Sequence, residues 1–104
     1  MKEVLPMTPL ERDIERALVA MIRSRGGLCL KWVCPGWAGV PDRIILLPGG
    51  RVIFAELKRP GGGRRHLQLW WAEQLTRLGF RHYWICGRED ISRMGKDILE
   101  ERTP

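Results

Sequence analysis

The chain has no long apolar run, since none of its segments approaches the about 20 consecutive apolar residues that a membrane-spanning helix requires. The segment from Met1 to Pro6 also lacks the apolar core of a secretory signal peptide. The three cysteines, Cys29, Cys34 and Cys86, show no CxxC spacing, which argues against a zinc site and against a disulfide framework. We therefore expect a cytoplasmic protein without a membrane partner, in which Cys86 is a small buried strand residue.

The chain does contain enough apolar sequence for one core, together with an excess of positive charge. Its 104 residues are 44% hydrophobic, and 18 Lys and Arg against 12 Asp and Glu give a net charge of +6. This length and composition indicate one folded domain over residues 1–104, with residues 1–7 and 102–104 as loose termini. A small basic domain is often a nucleic-acid-binding protein, although the same charge also suits a merely soluble surface.

Local patterns predict the element order α-β-β-β-α-β-α, an α/β fold with a mixed sheet flanked by helices. Apolar residues recur at helical spacing after Thr8-Pro9, at residues 66–78 and at residues 89–101. Short strand patterns cover residues 28–33, 42–47, 51–57 and 82–86, and a Pro-Gly-Gly turn joins the middle two into a hairpin. Both faces of that hairpin carry apolar residues, so we expect both faces to be covered.

The polar end of the hairpin carries the candidate chemistry. If Leu47 pairs with Arg51 across the turn, Asp42 lies opposite Glu56, with Cβ atoms roughly 5 Å apart. Lys58 follows Glu56 by two residues and therefore points to the same face. Two close carboxylates repel each other unless a cation such as Mg²⁺ lies between them, and a nearby lysine can stabilise a reacting phosphate or orient a water. The structural alternative is an ion pair between Glu56 and Lys58, with Asp42 capping a strand.

In this chain Gly39-Val40-Pro41-Asp42 is followed by Glu56-Leu57-Lys58. This order of residues resembles the motif of the PD-(D/E)xK nuclease superfamily. Glu15 in the first helix, Lys31 in the first strand and Gln68 in the second helix extend the likeness to the VRR-NUC family, over nearly the whole chain. The resemblance implies a restriction-endonuclease-like fold and cleavage of DNA that depends on Mg²⁺ or Mn²⁺.

The resemblance also implies a role for each matching position. The catalytic residues would be Asp42, Glu56, Lys58 and Gln68. The metal ligands would be Glu15, directly or through water, together with Asp42, Glu56 and the backbone carbonyl of Leu57. The residues alone leave two choices open, because Glu11 shares the helix edge of Glu15 and because Gln74 is an alternative to Gln68.

Basic and aromatic side chains near these positions are candidates for DNA contact. Phosphate contacts are expected from Lys31, Arg59, Arg64 and Arg65, the last three of which flank a glycine triplet and have a solvated loop as their alternative. Trp32, Trp37 and Trp84 are predicted to be core or rim residues. Trp70 and Trp71 are consecutive and cannot share one helix face, so we expect one of them to be exposed for DNA stacking or for a partner.

Together these features predict a structure-specific endodeoxyribonuclease that hydrolyses phosphodiester bonds in branched DNA, with the Holliday junction as the first choice. Two symmetric cuts require two sites, so we expect a homodimer, joined through a patch around Trp70 or Trp71 or through the strand at Tyr83 to Cys86. The alternatives are a less selective repair, flap or restriction-type nuclease, and a catalytically inactive basic DNA-binding module.

Overall fold

A computed structural model describes residues 9–58 and 66–101 of the chain. The helices are α1 at Pro9–Ser24, α2 at His66–Arg77 and α3 at Arg88–Glu100. The strands are β1 at Leu28–Lys31, β2 at Arg43–Leu47, β3 at Arg51–Leu57 and β4 at Arg81–Ile85. The predicted element order is confirmed, and the bounds differ from the sequence pattern by at most two residues at each end.

The four strands form one mixed sheet in the order β1-β2-β3-β4. The first two pairings are antiparallel and the pairing of β3 with β4 is parallel. Leu47 pairs with Arg51 as predicted, and the register continues to Arg43 opposite Ala55. Asp42, directly before β2, is therefore level with Glu56 near the end of β3. This register positions the candidate site at one end of the two central strands.

The core lies on one face of the sheet, beneath α1 and α3. Alternate residues of β2 and β3 point toward this face, as the two-residue period of a strand requires. The buried apolar side chains packed there are Ile14, Leu18, Ile22, Ile45, Leu47, Ile53, Ala55, Ile85, Ile91, Met94 and Ile98. In the described parts of the chain, no helix combines the length and the apolar character needed to cross a bilayer.

The opposite face of the sheet is covered only in part, so the expectation of two covered faces is confirmed at Phe54 in β3 and wrong at Leu46 in β2. Phe54 is buried there between the rings of Trp32 and Phe80. Helix α2 contacts β4 at one edge of the sheet, which leaves Leu28, Leu30 and Leu46 exposed toward the other edge. The prediction of a buried Cys86 was also wrong, because this residue follows the last residue of β4 and is exposed.

Candidate active site

Asp42 and Glu56 are held together by reciprocal hydrogen bonds between their side chains and the facing backbone. The Asp42 amide donates to Glu56 Oε2 at 3.1 Å, and the Leu57 amide donates to Asp42 Oδ2 at 2.9 Å. The Trp32 amide also donates to the Asp42 carbonyl at 2.9 Å, which ties Asp42 to the residue directly after β1. Main-chain groups at the end of the sheet therefore hold both carboxylates of the pair.

Gln68, in the first turn of α2, connects the carboxylate pair to Lys58. Lys58 Nζ donates to Gln68 Oε1 at 2.6 Å, and Gln68 Nε2 donates to Glu56 Oε1 at 2.7 Å. Lys58 Nζ also lies over the Trp84 ring, 5.6 Å from its centroid, at cation–π distance. The Lys58 backbone is fixed as well, because its amide donates to the Ile85 carbonyl at 2.8 Å. Gln74 instead bonds Arg77 on its own helix, so Gln68 is the glutamine that lies at the pair.

Burial makes both carboxyl groups of the pair hold their protons more tightly than free carboxyl groups do. Glu56 is only 3% exposed, and this burial, followed by the charge of Asp42, raises its pKa to about 8. Burial likewise raises the pKa of Asp42. A divalent cation would relieve both effects. The available donors are carboxylate and carbonyl oxygens, the ligand class that Mg²⁺ and Mn²⁺ prefer, so the residues present fit such an ion.

Glu15 does not join the carboxylate pair in this structure. Its carboxylate forms an ion pair with Arg43 at 3.1 Å, and the same guanidinium donates to the Cys29 carbonyl at 3.1 Å. Within residues 9–58 and 66–101, no three His, Cys, Asp or Glu side chains converge as a metal-binding group. The structure therefore brings together Asp42 and Glu56 and places Glu15 beside them on Arg43.

An open cleft runs along the pair on the side of α1. The cavity measures about 330 Å³, and its lining includes Glu11, Glu15, Lys31, Asp42 and Leu57. The predicted glutamates of α1 thus both reach the cleft, and the choice between them stays open. Lys31 reaches it from the end of β1 and supplies positive charge to its wall. The predicted phosphate contacts Arg59, Arg64 and Arg65 lie outside the described residues.

Sequence reasoning missed two residues of this site. Arg43 is only 7% exposed and neutralises Glu15 beside Asp42. Arg43, Ile45 and Leu47 are alternate residues of β2 and therefore point to the same buried face of the sheet. That spacing could have indicated a buried charge. Trp84 contacts Lys58 because β4 pairs in parallel with β3, opposite Glu56. No local pattern gives that pairing.

Gly39 allows α2 to approach the loop that carries Asp42. Its φ is +82°, and an added Cβ would lie 2.5 Å from the Leu67 Cβ. We expect Gly39→Ala to cost about 2–5 kcal/mol, the sum of left-handed backbone strain and steric overlap. It should also lower any activity, because the displaced first turn of α2 carries Gln68. Urea unfolding followed by circular dichroism measures the cost.

Gly36 offers a matched control for that change. Its φ is +86°, but an added Cβ meets nothing within 4 Å. Gly36→Ala should therefore cost only the strain, about 1–2 kcal/mol. Equal losses in the two variants would show that the contact with α2 is unimportant.

Comparison with known proteins supports a relation to nucleases. A phage protein named "Putative nuclease p44", from Acyrthosiphon pisum secondary endosymbiont phage 1, is 45% identical over 82 residues, which are 79% of this chain and 87% of that protein. A solved structure described as a VRR_NUC domain superposes with a TM-score of 0.77 at 22% identity, covering 84% of this chain and 95% of the other. No family model matches the sequence.

Proposed function

The chain belongs to the VRR-NUC family within the PD-(D/E)xK superfamily, and from that premise we propose that it is a metal-dependent endodeoxyribonuclease acting on branched DNA. The observation that carries the proposal is the continuous array Lys58–Gln68–Glu56 beside Asp42. A purely structural ion pair between Glu56 and Lys58 would not require a glutamine inserted between them. This array supports catalysis over the structural alternative.

Each residue of the array has a part in phosphodiester hydrolysis. Asp42, Glu56 and the Leu57 carbonyl would hold Mg²⁺ or Mn²⁺, and a glutamate of α1, Glu15 or alternatively Glu11, would contribute directly or through water. The bound ion supplies charge neutralisation at the phosphate and a lower pKa for water. Lys58 orients the attacking water or stabilises the negative charge that develops on the phosphate, and Gln68 keeps the lysine at that position.

Branched DNA, and the Holliday junction in particular, is the substrate that we propose. The chain carries a net charge of +6, which suits a partner with closely spaced phosphates. Resolution of a junction needs two cuts on opposing strands, so we propose a two-fold homodimer. Leu28 and Leu30 on the edge strand β1 are exposed and offer an apolar surface for a second copy, in addition to the surfaces expected from the sequence.

The decisive experiment is a cleavage assay with Mg²⁺, Mn²⁺ or EDTA on labelled duplex, single strand, flap and four-way junction. The proposal expects metal-dependent cutting of the junction, symmetric nicks on opposing strands, and a dimer in light scattering. Equal cutting of linear duplex would favour the less selective nuclease. Binding to DNA without cutting in either metal would favour the inactive binding module. A protein that stays monomeric on DNA would exclude paired cutting.

Arg64 and Arg65, which lie between Lys58 and α2 in the sequence, should neutralise DNA phosphates. We expect Arg64→Ala with Arg65→Ala to weaken binding across DNA sequences and to reduce the slope of log affinity against log salt by about one unit per lost contact. Fluorescence anisotropy at several salt concentrations measures that slope. Arg88→Ala, an exposed change at the start of α3, is the control and should keep the wild-type slope. An unchanged slope in the double variant would assign both arginines to solvent.

A further inference from the structure

An aromatic cavity lies beside the first two turns of α2. It measures about 610 Å³, within the range typical of small-ligand sites. Its walls include Trp37, from the loop before β2, and Trp70 and Trp71 from α2. Trp37 is 60% exposed and Trp70 is 44% exposed, so Trp37 is not a core residue, one of the two positions that the sequence predicted for it. The indole rings of Trp37 and Trp70 are thus both exposed to solvent in one cavity, although tryptophan side chains are on average largely buried.

Trp71 holds the two exposed rings in place. Its indole N–H donates to the Ala38 carbonyl at 2.9 Å. Its ring centroid lies 5.8 Å from Trp37 at an interplanar angle of 79°, and 5.2 Å from Trp70 at 86°. The ring centroid of Trp71 also lies 6.1 Å from that of Trp32, and Trp32 in turn packs against Phe54 of the sheet. None of these contacts is a face-to-face stack, so the fixed rings can take a further planar group.

The cavity adjoins the proposed active site through α2. Trp71 follows Gln68 by three residues, so the two side chains lie on neighbouring turns of one helix surface. Leu67, which also lines the cavity, is the residue packed against Gly39 of the loop that carries Asp42. The first turns of α2 therefore connect the cavity to the carboxylate pair, so that one DNA strand could contact both. His66 and Glu73 on its lining offer polar groups for the edge of a base.

We propose that this cavity binds one unpaired nucleobase of the DNA substrate, stacked on Trp37 and Trp70. The inference rests on the proposed function, because the base belongs to a nucleotide beside the phosphate that is cut. A base fits better than a second protein copy, since two exposed indole rings, the helix shared with Gln68 and the +6 net charge all favour a nucleic acid. Branched DNA supplies such bases at its branch point.

The test compares two DNA duplexes that differ only in one base. One carries a single-adenine bulge and the other an abasic bulge, and both are titrated by anisotropy in EDTA so that no cutting occurs. We expect the wild-type protein to bind the adenine bulge about 10-fold more tightly, the effect of one stacked base. The double variant Trp37→Ala with Trp70→Ala should lose this preference. Leu78→Ala, an exposed apolar change just after α2, should retain it.

Each outcome either supports or overturns the inference. A wild-type protein without the preference overturns it, even if the double variant cannot be folded, and so does a preference that survives in the folded double variant. Loss of a dimer in the double variant, with no base preference in the wild type, would assign the cavity to a second copy. If the wild-type protein prefers the adenine bulge but cleaves no DNA, the base-binding cavity is supported and the proposed function is contradicted. If it cleaves DNA with metal but shows no preference for the adenine bulge, the proposed function is supported and the base-binding cavity is contradicted.

Discussion

Asp42→Asn and Glu56→Gln are each expected to reduce DNA cleavage by at least about 10³-fold, because each removes a carboxylate that we propose as a metal ligand, and with it the stabilisation of the transition state. Both variants should bind DNA in EDTA at least as tightly as the wild type. Asp42→Asn removes a negative charge that repels phosphate, whereas Glu56, with its pKa raised to about 8, carries little charge at neutral pH for Glu56→Gln to remove. Single-turnover cleavage of a labelled junction and anisotropy in EDTA measure the two effects separately.

The fold should survive both substitutions. Asn at position 42 keeps an oxygen that can accept from the Leu57 amide, and Gln at position 56 keeps one for the Asp42 amide or for Gln68. Removing the repulsion between two close carboxylates also favours the folded state. Glu100→Gln, an exposed change on α3, is the matched control and should cut at the wild-type rate. An Asp42→Asn variant with wild-type cleavage in Mg²⁺ would falsify the proposed metal site.

Lys58→Ala should reduce the cleavage rate by about 10²–10³-fold, because it removes the positive charge that we propose acts on the reacting phosphate. The Mg²⁺ concentration that gives half-maximal rate should stay near the wild-type value, since Lys58 is not a ligand. In Asp42→Asn that concentration should rise sharply. A metal titration of the single-turnover rate therefore separates the lysine from the carboxylates.

Gln68→Ala provides an internal comparison for the lysine. Gln68 positions Lys58 and Glu56 through its two hydrogen bonds, while Trp84 still contacts the ammonium group. Its loss should reduce the rate by about 10-fold, well below the loss in Lys58→Ala. Gln68→Glu should be worse than Gln68→Ala, because it adds a third negative charge beside Glu56. A larger loss in Gln68→Ala than in Lys58→Ala would reverse the two roles.

The hairpin could be predicted because its information is local. A Pro-Gly-Gly turn fixes which residues pair, and the two-residue period of the strands then fixes which side chains share a face. Leu47 opposite Arg51 was enough to bring Asp42 level with Glu56. The helices were equally accessible, because apolar spacing and terminal Pro or Gly residues mark their limits.

The contacts around the pair could not be derived in the same way, since they join segments far apart in the chain. Gln68 reaches Glu56 only because α2 packs beside the end of β3, and the family resemblance, not the helical pattern, singled it out. The pairing of Glu15 with Arg43 depends on how α1 crosses the sheet. Leu28, Leu30 and Leu46 are exposed because α2 packs against β4 and does not extend over β1 and β2. The hydrophobic pattern of the strands does not show how far a helix covers the sheet.

The reciprocal bonds between backbone and carboxylates make two amides direct reporters of the site. The Asp42 and Leu57 amides donate to the very oxygens proposed to hold the cation. A cation that draws electron density from those oxygens weakens both bonds, so the two amide proton resonances should move upfield together during a titration. An NMR spectrum of nitrogen-15-labelled protein would then follow ion occupancy without DNA or turnover. The same two signals would show at once whether a variant still presents a formed site.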